Sequence, residues 1–181
     1  LAAHLPEGIA GRVADLGAGW GFLSAAILTH PRVTECHLVE ASHAALDCAR
    51  MNVTDPRARF HWADATAMAA SLPAADRFDW VITNPPFHGP SMGGRGADPQ
   101  IGIRFIRAAA RMLRASGTCL IVANRHLPYE RAMIETFAQV ETVIDEAGYK
   151  ILCAARPRDA RASSARGAPT GRRPAGGRRR V

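Results

Sequence analysis

Apolar residues fall along this chain in two alternating rhythms. Short runs rich in β-branched and aromatic residues occur at 12–16 (RVADL), 35–39 (ECHLV), 59–62 (RFHW) and 78–83 (FDWVIT). Runs of that length and make-up read as strands. Between them, apolar residues recur at helical spacing at 22–28 and 44–52, with Ser42 placed to cap the second stretch. Pro85 and Pro86 end the fourth strand, and a glycine-rich segment follows at 88–96. Helical spacing returns at 101–113. Residues 118–123 (TCLIVA) are almost wholly apolar, as expected of a strand covered on both faces. A helix at 129–137 and strands at 140–145 and 149–154 complete the pattern. Strands alternating with helices predict one α/β domain over 1–155, with helices on both faces of the sheet.

Composition narrows the picture. A chain of 181 residues, 48% of them hydrophobic, can bury a substantial core. It has no apolar run long enough to cross a membrane and no signal peptide. It starts at Leu1, so the sequence is expected to begin inside a longer protein. Cys36, Cys48, Cys119 and Cys153 form no C-x-x-C pair and sit in or beside apolar segments. They are expected to be buried free thiols in a reducing cytoplasm. The scattered histidines offer no metal-binding spacing, and no metal is expected.

The net charge of +7 misleads as a whole-chain figure. Residues 156–181 hold nine Arg against one Asp, and residues 1–155 hold 14 basic against 15 acidic residues. All the excess lies in the tail. Its Ala, Arg, Gly, Pro and Ser composition cannot build a core and predicts disorder. Two readings of it stay open: an arm that contacts RNA phosphates, or an extension without function.

The first chemical signal is Asp15-Leu16-Gly17-Ala18-Gly19-Trp20-Gly21, between the first strand and the first helix. Glycines there permit a tight turn and close approach of a ligand to the backbone. Dinucleotide loops use G-x-G-x-x-G at this place. The spacing here is G-x-G-x-G, with an acid two residues ahead, and resembles the first motif of class I methyltransferases. Asp15 would suit a ligand carrying sulfonium and ammonium groups, or would only form the turn. Glu40, ending the second strand, can accept from two ribose hydroxyls, which fits NAD as well as S-adenosylmethionine. Asp64, after the third strand, would accept from an adenine amino group, or would cap a helix.

The second signal is Asn84-Pro85-Pro86-Phe87, directly after the fourth strand. Ligands collect at the carboxyl ends of strands in open α/β sheets. Prolines stiffen the loop and remove N–H donors. What remains are acceptors, the Asn84 side-chain carbonyl and the Pro85 backbone carbonyl, and a planar amino group brings two N–H donors to them. Phe87 offers a face for a flipped base. An amine conjugated to a purine is a poor nucleophile. Two acceptors favour tetrahedral geometry, so that its lone pair can meet a sulfonium methyl. Positioning then carries much of the rate. Pro86, Phe87 and His88 are the candidate substrate contacts; His88 would touch substrate, take a proton, or only shape the loop.

With Val122-Ala123-Asn124-Arg125-His126-Leu127-Pro128-Tyr129 added, residues 1–155 resemble the bacterial small-subunit ribosomal RNA guanine-N2 methyltransferases. The resemblance implies a Rossmann-like class I methyltransferase fold, with a mostly parallel seven-stranded sheet and an antiparallel strand near the C-terminus. It implies S-adenosylmethionine as cofactor, bound by Asp15, Gly17, Ala18, Gly19, Glu40, Asp64 and Asn84. It assigns Asn84, Pro85 and Phe87 to catalysis, and ribosomal RNA or the small ribosomal subunit as partner. Asn124 and Tyr129 match the family with either a functional or a structural role, and Lys150 would face RNA or simply solvent. N-P-P-F also occurs in adenine-N6 and protein-glutamine methyltransferases, so other amines stay open. So does a non-catalytic RNA-binding module, since family members carry an upstream, often degenerate, duplicate half.

Overall fold

A computed structural model of the chain describes residues 2–86 and 99–158. Seven strands form one sheet: β1 (Gly11–Leu16), β2 (Val33–Glu40), β3 (Ala58–Trp62), β4 (Phe78–Thr83), β5 (Leu113–Asn124), β6 (Phe137–Glu146) and β7 (Tyr149–Pro157). Among the described residues, five α-helices connect them: α1 (Phe22–Leu28), α2 (His43–Asn52), α3 (Ala65–Ser71), α4 (Pro99–Met112) and α5 (Tyr129–Thr136). The order across the sheet is β3-β2-β1-β4-β5-β7-β6. β1 through β5 pair in parallel, and β7 runs antiparallel to both β5 and β6. The expected mostly parallel seven-stranded sheet with an antiparallel strand near the C-terminus is what forms.

The strand sequences explain the layering. Side chains alternate between faces along a strand. Val13, Leu38, Ile82 and Leu120 pack in one cluster with Ile27 of α1 and Ala49 of α2. Their neighbours Ala14, Val39, Val81 and Ile121 pack in the other, with Ala65 of α3, Ile106 of α4 and Met133 of α5. The connection after β1 therefore leaves on one face, and the connection after β4 leaves on the other. That reversal between adjacent strands opens a crevice at their carboxyl ends.

Some elements depart from expectation. β2 and β5 are longer than their apolar runs, because each extends past an irregularity in its ladder that takes in polar residues, Thr34 in β2 and Arg114 and Ser116 in β5. Apolar spacing does not reveal α3 (ATAMAAS). It is Ala-rich and capped by Asp64, and it packs against α4. β7 runs on to Pro157, opposite Phe137. Cys36 and Cys119 are buried as expected, but Cys48 lies exposed on the outer side of α2 and Cys153 is only half-buried. Among the described residues, no helix is long and apolar enough to cross a membrane, and no cluster of metal-ligating side chains forms.

Candidate functional site

The glycine loop is built on backbone that side chains resist. Gly17, Gly19 and Gly21 all have positive φ, at 72°, 56° and 91°. Gly17 and Ala18 donate to the Val39 carbonyl at 2.9 and 3.2 Å, which ties the loop to β2. Gly21 lies against α2, where an added Cβ would fall 2.8 Å from Val53 and 3.3 Å from Ala49. Gly19 is different. A Cβ there would meet nothing within 4 Å, so its outer side is open for a ligand to approach the backbone.

The three acids near this loop have distinct surroundings. Glu40 ends β2 and turns back under the loop. Its Oε2 accepts from Gly19 N–H at 2.9 Å, and its Oε1 accepts from Ser42 N–H at 2.8 Å. Each oxygen keeps a lone pair for a further donor. Asp15 does not face the open side. It is 1% exposed, and its Oδ2 accepts from Ser24 Oγ of α1 at 2.6 Å. Burial pushes its carboxyl up to about 7, with the Ser24 hydrogen bond opposing and the Glu40 charge adding. In this geometry Asp15 braces the turn from beneath.

Asp64 is the N-cap of α3. Its Oδ1 accepts from Thr66 N–H and Thr66 Oγ, both at 2.6 Å, and from Ala67 N–H at 3.4 Å. The Thr66 hydroxyl, with these amides and the Arg104 charge, holds the carboxyl below the usual range. Capping uses Oδ1, so the second oxygen remains to meet a ligand. Beside it stands Trp62, 65% exposed, whose indole donates to the Ala41 carbonyl at 3.0 Å and whose ring meets His43 edge-on at 4.9 Å. Trp62 is not among the residues that the sequence motifs single out. An exposed tryptophan held at a strand's carboxyl end is the signal that could have found it.

Asn84 is brought to the glycine loop by packing below it. Thr83 Oγ1, fully buried, donates to the Leu16 carbonyl at 2.6 Å and fastens the end of β4 to the end of β1. A Cβ on Gly17 would then lie 4.0 Å from the Asn84 carbonyl oxygen. Pro85 is buried, whereas Asn84 and Pro86 are exposed. A cavity of about 560 Å³ opens beside Asn84, lined by Phe22, Leu23, Val122, Tyr149 and Ile151 among others. Phe87 and His88 lie outside the described residues.

Other candidates have structural work. Tyr129, the first residue of α5, is fully buried. Asn124 Oδ1 accepts from His126 N–H at 3.2 Å within the β5–α5 turn. Lys150 does not face solvent or RNA. It is 5% exposed and donates to the Leu127 carbonyl at 2.7 Å and to Glu130. A buried ammonium needs such partners, and these draw α5 onto the sheet.

A glycine loop open at Gly19, a carboxylate at the end of β2 and an N-P-P loop held against them occupy one end of one sheet. The sequence model of the methyltransferase small domain matches residues 1–153. The chain belongs to that family. Among curated members, the ribosomal RNA small subunit methyltransferase C of Shewanella halifaxensis is 34% identical over 153 residues, covering 83% of this chain and 42% of that protein. The chain thus spans less than half the length of the curated relatives it matches. Among solved structures, the T. thermophilus 16S rRNA N2 G1207 methyltransferase in complex with AdoMet and guanosine superposes with a TM-score of 0.66. It is 31% identical, with 83% of this chain and 39% of that one covered. Spermidine synthase from Thermotoga maritima has a TM-score of 0.62 at 17% identity, covering 84% of this chain and 56% of its own; it shares the methyltransferase-like fold alone.

Proposed function

We propose that this chain is the catalytic part of an S-adenosylmethionine-dependent methyltransferase acting on N2 of a guanine in small-subunit (16S) ribosomal RNA. The observation that carries this reading is the joining of two loops by Thr83, which sets the Asn84 carbonyl oxygen 4.0 Å from where a Cβ on Gly17 would stand. The relatives it matches at 31–34% identity are named for methylation of small-subunit ribosomal RNA.

The residues present fit the cofactor. The open side of Gly19 admits a ligand against the backbone, and Glu40 keeps lone pairs for ribose hydroxyls. Asp64, with an oxygen left over from capping, suits an adenine amino group, with Trp62 as a wall beside it. When bound, S-adenosylmethionine supplies the methyl group as an electrophile on sulfonium. Asn84 and Pro85 hold the target amine through their carbonyl oxygens and turn its lone pair toward that methyl. The surplus proton of the product leaves to water, so no strong base is required. Phe87 would stack on the base, and His88, next in sequence, would touch the substrate, take a proton or shape the loop. Action on the small ribosomal subunit implies a cytoplasmic protein, and the Arg-rich tail would add phosphate contacts.

The test is transfer of labelled methyl to unmethylated small subunits and to their extracted RNA, followed by nucleoside analysis. N2-methylguanosine is expected, and turnover is expected to vanish in Asn84→Ala while cofactor affinity stays within a few fold. N6-methyladenosine or methylglutamine as product would replace the substrate. Unchanged turnover in Asn84→Ala would remove the role given to that residue.

A further inference from the structure

We propose that the solvent face of α4 is a contact surface for the RNA backbone, with Arg104, Arg107 and Arg111 as its phosphate-binding residues. The inference rests on the RNA reading above and says where the substrate lies beyond the target base.

The three arginines fall within an arc of roughly 60° at about 100° per residue, spread over about 10 Å of helix axis. All three are exposed. The opposite arc, with Ile101, Ile106, Ala109 and Met112, is buried against the sheet. The helix PQIGIRFIRAAARM contains no acid at all. Exposed arginines on a helix are often only a solvated face, and then acids at i±3 or i±4 usually accompany them. This protein follows that habit elsewhere. Arg50 pairs with Asp47 on α2, and Arg131 with Glu135 on α5. In the strands and loops, Arg57 pairs with Asp55, and Arg125 with Asp145. On α4, Arg107 and Arg111 have no ion pair or hydrogen bond among the described residues, and Arg104 acts only at longer range, on Asp64.

Cations in a row without a partner among the described residues are not explained by overall charge, because residues 1–155 are nearly neutral. They are local. Their placement suits the substrate. α4 is the first element described after the Asn84 loop, and its Arg104 end lies near enough to Asp64 for that carboxylate to feel its charge. At the far end, Arg114 is neutralised by Asp79 at 2.6 Å. The row therefore starts beside the proposed cofactor site and stops two turns away. Guanidinium groups make forked hydrogen bonds to phosphate oxygens and carry no base preference.

The test compares two double variants of the full chain that lose equal charge: Arg107→Gln with Arg111→Gln on α4, and Arg50→Gln with Arg131→Gln on α2 and α5. Binding of a labelled single-stranded RNA oligonucleotide of mixed sequence is followed by anisotropy across a salt series, with circular dichroism as the check on folding. The slope of log affinity against log salt should become shallower by about 1.4 in the α4 pair, at about 0.7 per lost contact. It should change little in the other pair. Equal changes in both pairs would mean that net charge alone matters and would overturn the proposal, as would an unchanged slope in the α4 pair. If the wild-type chain itself bound no RNA, the substrate reading would fail first and this surface with it.

Discussion

Glu40 and the His37–His61 pair show how single side chains set the behaviour of this end of the sheet. Glu40 holds the Gly19 and Ser42 amides at 2.9 and 2.8 Å, so it shapes the loop as well as offering oxygens to a ligand. Glu40→Ala loses both roles at once. Hydrogen bonds to a charged group contribute about 1.5–3 kcal/mol, so calorimetry should find S-adenosylmethionine bound roughly 10- to 100-fold more weakly. Wild-type affinity would show that this carboxylate is no part of the pocket. Farther from the site, His37 and His61 join β2 to β3, ring nitrogens 2.9 Å apart and rings stacked at 5.0 Å. Burial lowers the pKa of both; for His37 the neighbouring Glu35 opposes this, while the His61 and Arg12 charges reinforce it. A depressed histidine pKa favours the neutral fold. The stability it contributes is present above about pH 6.5, the unfolded value, and is lost as pH falls through the lower folded values. Asp15, whose buried carboxyl is pushed up to about 7, gains stability over the same window in wild type and variant alike. The histidine contribution is therefore read as a difference: between pH 7 and 5 the melting temperature of the wild type should fall relative to that of His61→Gln. Identical pH profiles in variant and wild type would rule that contribution out.

At the scale of elements, one glycine decides how two helices meet. A Cβ on Gly102 of α4 would sit 1.9 Å from Tyr129 Oη and 2.1 Å from Cζ, inside the buried seam with α5. Alanine gains about 1 kcal/mol over glycine as a helix former, but overpacking costs about 1–3 kcal/mol, and a ring at the start of α5 cannot swing aside. Gly102→Ala should be destabilising by urea titration, and a neutral or stabilised variant would show that the seam has room. The same seam marks what sequence patterns reveal. β4 is legible because FDWVIT is apolar and bounded by Pro85 and Pro86. β2 and β5 are legible only in their cores, since Thr34, Arg114 and Ser116 fall in irregularities of the ladder and leave no hydrophobic trace. α3 is illegible by apolar spacing because alanine is nearly silent in hydrophobicity; its one signal is Asp64 ahead of Thr66. The glycine and proline loops stand out because their chemistry is local. Lys150 does not, because its partners Leu127 and Glu130 reach it only through the fold.

Across the whole molecule, charge and fold separate at one point in the chain. β7 is paired up to Pro157, opposite Phe137. Arg158 closes that end, with its N–H on the Thr136 carbonyl at 2.8 Å and its Nε on the Phe137 carbonyl at 3.0 Å. Residues 159–181 bring seven further Arg and one Asp, so cutting after Arg158 removes nearly all the excess charge from a chain of net +7. Because the last bonds of the sheet lie before the cut, melting temperature should stay within about 1 °C. A cut before Pro157 removes the Arg158 bonds and the end of β7, and at about 1 kcal/mol per hydrogen bond it should lower the melting temperature by several degrees. RNA affinity should separate from stability. The shorter chain should bind single-stranded RNA with a shallower salt dependence, by about 0.7 in slope for each phosphate contact the tail had made. Its rate on saturating small subunits should hold, because every described residue of the proposed site precedes the cut. A slope equal to that of the full chain would leave the α4 arginines as the basic surface that matters and the tail without a part in binding.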